Sequence, residues 1–216
     1  MKDTTKPCLI GMVFVFNTTM RYKLLIFFLF ISFLSKAQEG LNLVSLGNES
    51  MNLGNYRKAQ EYYQAALSTD KYNWNIYTLL AFSIHKQKRF KEADSLYRIS
   101  LSNDTNNSKT YWYKAMNHIA LKQDSIAIVL YKKFIDIEKF REHSVTQAYR
   151  SVGQCYERML RRDGLYAWQI DDMIYHYDQI EKLDPSGVEV PLIRNFIELV
   201  NSKRPANQVG KWKMEP

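Results

Sequence analysis

Residues 54–70 of the chain are GNYRKAQEYYQAALSTD, and residues 88–104 are KRFKEADSLYRISLSND. The two segments share few identical letters, but their small and aromatic positions coincide at an offset of 34 residues. Ala59 and Tyr63 of the first segment correspond to Ala93 and Tyr97 of the second. Helix packing needs small residues where two backbones approach and large rings beside them, while it tolerates change elsewhere. The pattern therefore predicts a repeated helical unit.

The 34-residue interval continues in both directions along the chain. It relates Ala127 and Tyr131 to the same two positions, and upstream it relates Gly47, Ala81 and Ala115. Each unit shows apolar residues three and four apart, then a short polar turn, then a second apolar stripe, which indicates two helices per unit. The chain has only eight glycines and five prolines, which also favours helices over a turn-rich sheet.

This pattern resembles the tetratricopeptide repeat, whose signature is W-x2-L-G-x2-Y, then A-x3-F, then P. Three consecutive units match it in phase, and a fourth begins with Tyr149-x2-Val152-Gly153-x2-Tyr156. The back half of the fourth unit, Met173-x3-Tyr177, comes eight residues later than in the others. The resemblance implies an all-α fold, a right-handed superhelical array of antiparallel helix pairs. The expected units are 40–73, 74–107, 108–141 and 146–185, with an insertion at 161–169, a capping helix at 186–204 and a flexible tail at 205–216.

The N-terminal segment has the three-part pattern of a secretory signal peptide. Arg21 and Lys23 precede an apolar run over residues 24–34, and the small residues Ser35 and Ala37 follow it. We expect export, with residues 1–37 as the targeting segment, cleavage after Ala37, and translation starting at Met20. A long uncleaved anchor is the alternative, because a second apolar stretch lies at residues 8–16.

The formal charge of +8 does not indicate a nucleic-acid partner. Residues 1–37 hold five basic and one acidic residue, so half of the excess belongs to the targeting segment. Elsewhere the charges alternate in sign, which is typical of solvated helical surfaces. We expect membrane contact only through the N-terminal segment, if it is uncleaved.

No catalytic or metal-binding motif is present in the sequence. The four histidines have no pair spaced i, i+4, so we expect no metal site and no cofactor. Adjacent Asp171 and Asp172 are expected near a helix start, where acids stabilise the helix dipole. Cys155 is expected to be a buried, unreactive thiol. The chain is therefore predicted not to be an enzyme.

The resemblance implies that the first helix of each unit lines a concave groove that binds protein segments. By the phase of the family, the predicted groove residues are Val44, Asn48, Thr78, Phe82, His85, Lys109, Trp112, Met116, Arg150 and Gln154. The large apolar members are expected to anchor a partner. The alternative is that they pack against the next repeat.

One subclass of the family grips a C-terminal carboxylate with a five-residue clamp. Asn48 and Lys109 match that clamp, but Val44, Leu79 and Tyr113 stand where Lys, Asn and Arg are required. We therefore expect a different protein or peptide partner. Two functions stay open: an exported scaffold or adaptor that binds a peptide or helix in the groove, and a rigid accessory subunit of an envelope or secretion complex.

Overall fold

The computed structural model describes the backbone of residues 18–214, and side chains in that range other than those of residues 18–21, 24 and 32–41. The apolar stretch at residues 8–16 lies outside the described residues. The side chains around the predicted cleavage site lie outside them too.

The described residues form antiparallel helix pairs that follow one another along the chain. The helices are α1 (Thr18–Asn52), α2 (Tyr56–Thr69), α3 (Trp74–Lys86), α4 (Phe90–Asn103), α5 (Ser108–Ala120), α6 (Asp124–Glu138), α7 (Glu142–Arg162), α8 (Ala167–Leu183) and α9 (Val190–Lys203). Helices α1 and α2 pack together, as do α3 and α4, α5 and α6, and α7 and α8. Each pair also contacts the next one, so the pairs stack into a continuous array.

The small and aromatic positions that define the repeat meet in the core. Ala59, Ala93 and Ala127 are fully buried, and their partner tyrosines are buried beside them. A Cβ atom built on Gly47 would lie 2.4 Å from the ring of Tyr63, which shows how closely the two helices approach there. The same distance separates a Cβ on Gly153 from the ring of Tyr177. Tyr177 therefore occupies the repeat's tyrosine position, although it comes eight residues late in the sequence.

The turns inside the first three pairs use one left-handed residue each, at positions 34 apart. Gly54 has a φ of 74°, Lys88 of 63° and Lys122 of 59°. Glycine adopts this conformation at no steric cost, whereas the two lysines accept some strain. The turn geometry is therefore fixed by the packing of the helices and not by glycine alone.

Helix α1 runs without a break from the predicted targeting segment into the first repeat. Its residues 25–31 are all apolar and between 45% and 68% exposed. The sequence indicated a boundary near residue 37, but the backbone is helical on both sides of it. Within the described part of the chain, no helix carries an apolar stretch long enough to cross a membrane.

The insertion and the tail differ from the expectation. Helix α7 extends to Arg162 and α8 begins at Ala167, so the insertion mostly lengthens helices and leaves a short turn. Leu165 in that turn exchanges two backbone hydrogen bonds with Trp212, at 2.8 and 2.9 Å. Met214 is buried, and Gln208 donates to the carbonyl of Leu165 at 2.7 Å. The tail is thus held against the insertion, where a flexible end was expected.

Helix α9 covers the last pair, as the expected capping helix would. Val190 and Val200 are buried, and Ile193, Phe196 and Ile197 pack against the C-terminal part of the core. The ring of Phe196 meets the edge of Tyr177 at 6.0 Å between centroids. The outer face of α9 carries charged residues such as Arg194 and Glu198, which suits the solvated end of an array.

Candidate partner-binding groove

The predicted groove residues fall mainly on two positions of the repeat. One position, referred to here as the junction position, is occupied by Val44, Thr78, Trp112 and Arg150. The other, one helical turn later and referred to as the inner position, is occupied by Asn48, Phe82, Met116 and Gln154. The two positions behave differently in the structure.

The junction position faces the next repeat. The Thr78 hydroxyl is buried and lies 3.0 Å from the hydroxyl of Ser100 and 2.5 Å from that of Thr110. The Arg150 guanidinium forms a two-pronged ion pair with Glu189, just before α9, with Nε 2.6 Å from Oε2. Val44 packs against the N-terminal apolar cluster. The prediction that Thr78 lines an accessible groove is therefore wrong, because its small hydroxyl closes the contact between α3, α4 and α5.

The inner position is more open at its two ends than in its middle. Asn48 and Gln154 are exposed, and the Asn48 carboxamide oxygen accepts a hydrogen bond from Tyr63 at 2.8 Å. Phe82 is half-buried and stacks on Tyr113, with ring centroids 4.0 Å apart and planes at 12°. Met116 is half-buried and packs against the C-terminal core. Each apolar side chain therefore shares its surface between neighbouring packing and the groove.

His85 is held inside the array and does not project freely. Its Nδ1 lies 2.9 Å from the carboxamide oxygen of Asn117, and its ring is 5.3 Å from that of Phe90. Burial lowers the pKa of His85 from its ordinary value, although the Asn117 contact partly opposes this. We expect His85 to be neutral near pH 7 and to order this part of the groove.

An open cleft lies between the third and fourth repeats. It has a volume of about 450 Å³ and lies between α5, the end of α6 and the start of α7. We call it the α5–α7 cleft; its lining residues are Ser108, Lys109, Trp112, Tyr113, Phe134, Glu138, Arg141, His143, Ser144 and Gln147. Lys109 and Trp112 were predicted from the sequence, while Tyr113 was noted there only as a departure from the clamp.

Aromatic rings form the apolar wall of the α5–α7 cleft. The Trp112 ring packs against Tyr131 at 5.2 Å and against Phe134 at 5.1 Å between centroids. Trp112 and Tyr113 are half-buried, while Phe134 is only 7% exposed. These contacts fix the indole in place and leave part of it open to the cleft. The surface is therefore preorganised to receive another apolar group.

The rim of the cleft is polar and carries more positive than negative charge. Lys109, Arg141 and His143 are exposed there. The one carboxylate, Glu138, accepts from the Ser108 hydroxyl at 2.5 Å and pairs with Arg141 at 3.1 Å. Lys109 lies 5.9 Å from the centre of the Tyr113 ring. The sequence missed Arg141, His143 and Gln147 because they lie in or near the four-residue addition before the fourth repeat.

The candidate chemical groups elsewhere are engaged in structural contacts. Asp171 pairs with Arg204 at 2.6 Å, while Asp172 accepts from Lys132 at 2.5 Å and also from Tyr156. Burial raises the pKa of the Cys155 thiol to about 12, so it is not a nucleophile near neutral pH. Within the residues that the structure describes, no cluster of His, Cys, Asp and Glu could hold a metal ion.

The contacts of Asp172 and His176 predict a pH dependence of stability. Burial lowers the pKa of His176 below its ordinary value, against the opposing effect of the Asp172 backbone carbonyl. The unfolded chain therefore binds a proton near pH 6.5 that the folded chain does not, and stability falls as the pH drops below that value. Each pH unit costs at most about 1.4 kcal/mol per such group.

Measuring the free energy of unfolding of the wild type and of His176→Phe at pH 7.5 and pH 5.5 tests this prediction. The wild type should lose more stability over that interval than the variant. Equal losses would contradict the assignment of the effect to His176. Asp172 titrates separately: burial opposes its ionisation, but bonds from Lys132 and Tyr156 outweigh this and lower its pKa. Its contribution is lost only at more acidic pH.

Comparisons with solved structures agree with this architecture. PilF of Pseudomonas aeruginosa superposes with a TM-score of 0.64 at 15% identity, over 78% of this chain and 72% of that one. A tetratricopeptide repeat protein of Parabacteroides merdae superposes with a TM-score of 0.62 at 18% identity, over 76% and 61%. This chain has a tetratricopeptide-type fold. The predicted all-α superhelical array of helix pairs is thereby confirmed.

A shorter match is the first tetratricopeptide domain of Spaghetti (RPAP3), bound to the HSP90 peptide SRMEEVD. It has a TM-score of 0.50 at 23% identity and covers 56% of this chain and 94% of that one. No protein-family profile and no curated protein sequence matches the chain. At these identities the likenesses concern the fold.

Proposed function

We propose that this chain is a non-enzymatic scaffold that acts outside the cytoplasm and binds a protein segment in its concave groove. The observation that carries the proposal is the α5–α7 cleft, where fixed aromatic rings stay partly open beneath a polar rim. A preformed apolar recess with a few polar groups is the usual form of a binding site. Stacked helix pairs present such surfaces over an extended concave side.

The superposed structures support binding of peptides in this fold. The RPAP3 domain was solved with an HSP90 peptide, and the TPR2B domain of yeast Sti1 with an Hsp70 one. The carboxylate clamp itself is not built in this chain. Val44 and Leu79 pack against the apolar core, and Tyr113 is stacked on Phe82, so these clamp positions have no basic or amide group to offer. The proposed partner therefore uses the cleft and not the clamp.

A second function, that of a rigid accessory subunit, is favoured by the outer side of the array. Val129 on α6 is 61% exposed and Tyr175 on α8 is 52% exposed. The repeat positions equivalent to these two are filled by Glu61 and Ser95 in the first two repeats. At this repeat position the third and fourth repeats therefore present apolar side chains outward, where the first two present polar ones. Such a surface suits a block that docks on a complex with its groove empty.

The proposed location rests on the N-terminal segment. Its charged start, apolar run and small residues have the order of a signal peptide. We propose export with cleavage after Ala37. Retention by an uncleaved α1 is the alternative, because that helix is continuous with the first repeat and exposes the apolar residues 25–31.

Site-specific photo-crosslinking in the producing cells tests the two functions together. A photoreactive residue at Gln147 samples the cleft, and one at Tyr175 samples the outer side. We expect Gln147 to capture a discrete protein in the envelope or secreted fraction and Tyr175 to capture none. If a protein is crosslinked through position 175 and none through position 147, the scaffold function is contradicted and the rigid-subunit function is supported. The intact mass of the recovered chain shows whether it has been cleaved after Ala37. A mass that includes residues 24–34 would contradict cleavage and support an uncleaved anchor.

A further inference from the structure

The α5–α7 cleft arises where the repeat's junction is filled by rings. At the junction of the second and third repeats, Thr78, Ser100 and Thr110 meet in hydrogen bonds and are buried. The equivalent residues of the third junction are Trp112, Phe134 and Ala148, because the four-residue addition shifts the fourth repeat to an offset of 38. At the first junction the corresponding residues are Val44, Ala66 and Ile76, of which the last two are buried.

The three junctions therefore form an internal comparison. Small or aliphatic side chains fill the first two. At the third, two aromatic rings line an opening between α5 and α7, together with His143 and Ser144 of the four added residues. A smaller opening of about 260 Å³ lies at the equivalent place in the fourth repeat, but no Phe, Tyr or Trp side chain lines it. The aromatic wall is thus the local feature of the third junction.

The charge around this opening is also specific. Among the described residues, no carboxylate lies within 4 Å of the ammonium group of Lys109, and the same holds for Lys86 on the neighbouring helix. Arg141 is 76% exposed at its side chain, and its contact with Glu138 leaves most of the guanidinium free. Glu138 is only 13% exposed and is already bonded to Ser108. A ligand entering the cleft therefore meets the unpaired ammonium group of Lys109, the largely exposed guanidinium of Arg141 and a shielded carboxylate.

The aromatic face continues this charged surface toward α3. Lys86 lies 5.1 Å from the centre of the Phe82 ring, Phe82 stacks on Tyr113, and Lys109 lies 5.9 Å from Tyr113. Two lysines thus flank a pair of stacked rings beside the cleft. Their ammonium groups are held near the groove surface by the rings, which lowers the entropic cost of pairing them with a ligand.

We infer that the α5–α7 cleft binds an acidic peptide segment that inserts one aromatic or large aliphatic side chain into the cleft, against the open part of the Trp112 ring. The inference rests on the proposed scaffold function and names its class of partner. The cleft volume of about 450 Å³ is at the small end of ligand pockets, which suits one large side chain and its flanking backbone. Acidic residues on either side of that anchor would reach Lys109 and Arg141 at the rim, and Lys86 beyond it.

A set of fluorescent nonapeptides tests the inference by anisotropy titration. One has a central Phe flanked by Asp and Glu, the second has the same Phe flanked by Lys, and the third has Ala in place of Phe in the acidic frame. We expect the first peptide to bind at least about tenfold more tightly than either of the others, because charge and anchor both contribute. Its affinity should also fall with added salt.

Matched lysine variants locate the effect on the protein. Lys109→Glu reverses a charge on the rim, while Lys133→Glu reverses one on α6, where the side chain is 61% exposed and does not line the cleft. We expect Lys109→Glu to lower the affinity for the acidic peptide about tenfold and Lys133→Glu to change that affinity by less than about twofold. Unchanged thermal denaturation of both variants would show that the fold is intact.

The outcomes separate the partner class from the function. If the basic peptide binds as tightly as the acidic one, or if the two lysine variants weaken binding equally, the acidic class is overturned. Failure of the acidic peptide to bind also overturns it. In each case, crosslinking of a discrete protein through position 147 would still support the scaffold function. If no protein is crosslinked there, the scaffold function is contradicted as well.

Discussion

Ala93→Phe is expected to lower the free energy of unfolding by about 1–3 kcal/mol or more. Ala93 is fully buried in α4 and belongs to one apolar cluster with Tyr97, which is also fully buried. A phenyl ring at that position has no space unless α3 and α4 separate. Domains are stable by only about 5–15 kcal/mol in total, so the loss is a large fraction. For a chain of this size, a loss of about 3 kcal/mol corresponds to a fall of about 10 °C in the melting temperature.

Ser95→Phe is the matched control for this prediction. Ser95 lies on the same helix, two residues later, and is exposed. The control introduces the same ring without overpacking and should change stability by no more than about 0.5 kcal/mol. Equal thermal melts for the two variants would show that the small position of the repeat is not where the helices meet.

The fold could be predicted because its determinants recur in the sequence. The small residue and the tyrosine of each repeat act across one helix pair, and three in-phase copies distinguish the pattern from chance. The late Tyr177 could also be placed, because Gly153 supplied its partner position. These contacts lie within single repeats, so the sequence of one unit contains both partners.

The ends of the array were less predictable because their contacts join distant segments. Leu165 and Trp212 pair through backbone groups, which no side-chain pattern indicates. The tail is rich in polar residues and has no apolar periodicity, so it resembles a solvated end. Only the folded chain shows that Met214 has a buried place to occupy.

The groove could be predicted only in part, because the outcome at each position depends on the size of its neighbours. Thr78, Trp112 and Arg150 share one phase of the repeat, yet one is buried, one lines a cleft and one is paired with Glu189. The phase gives the direction of the side chain. Whether the next repeat closes on it is decided by residues such as Ser100 and Phe134, which lie on another helix.

Trp112→Ala is expected to weaken partner binding by about thirtyfold, or about 2 kcal/mol. The indole is the largest aromatic group that lines the α5–α7 cleft, and removing it would leave the anchor of a partner without its wall. Because Trp112 also packs against Tyr131 and Phe134, we expect a stability loss of about 2 kcal/mol. That is less than the roughly 3–5 kcal/mol typical of a fully buried ring. Binding must therefore be measured where the variant is fully folded.

Trp168→Ala is the control that the chain itself offers. Trp168 lies on α8, is 64% exposed and does not line the cleft. Its removal deletes the same indole from the surface and should change neither stability nor binding by more than a small amount.

The most direct test of the binding role of the α5–α7 cleft uses the partner protein that is crosslinked through position 147. Its affinity is measured for the wild type, for Trp112→Ala and for Trp168→Ala, at one temperature well below all three melting transitions. The expected result is a loss of about thirtyfold for Trp112→Ala and of less than about twofold for Trp168→Ala. Equal affinities for all three folded proteins, or a larger loss for Trp168→Ala, would contradict it.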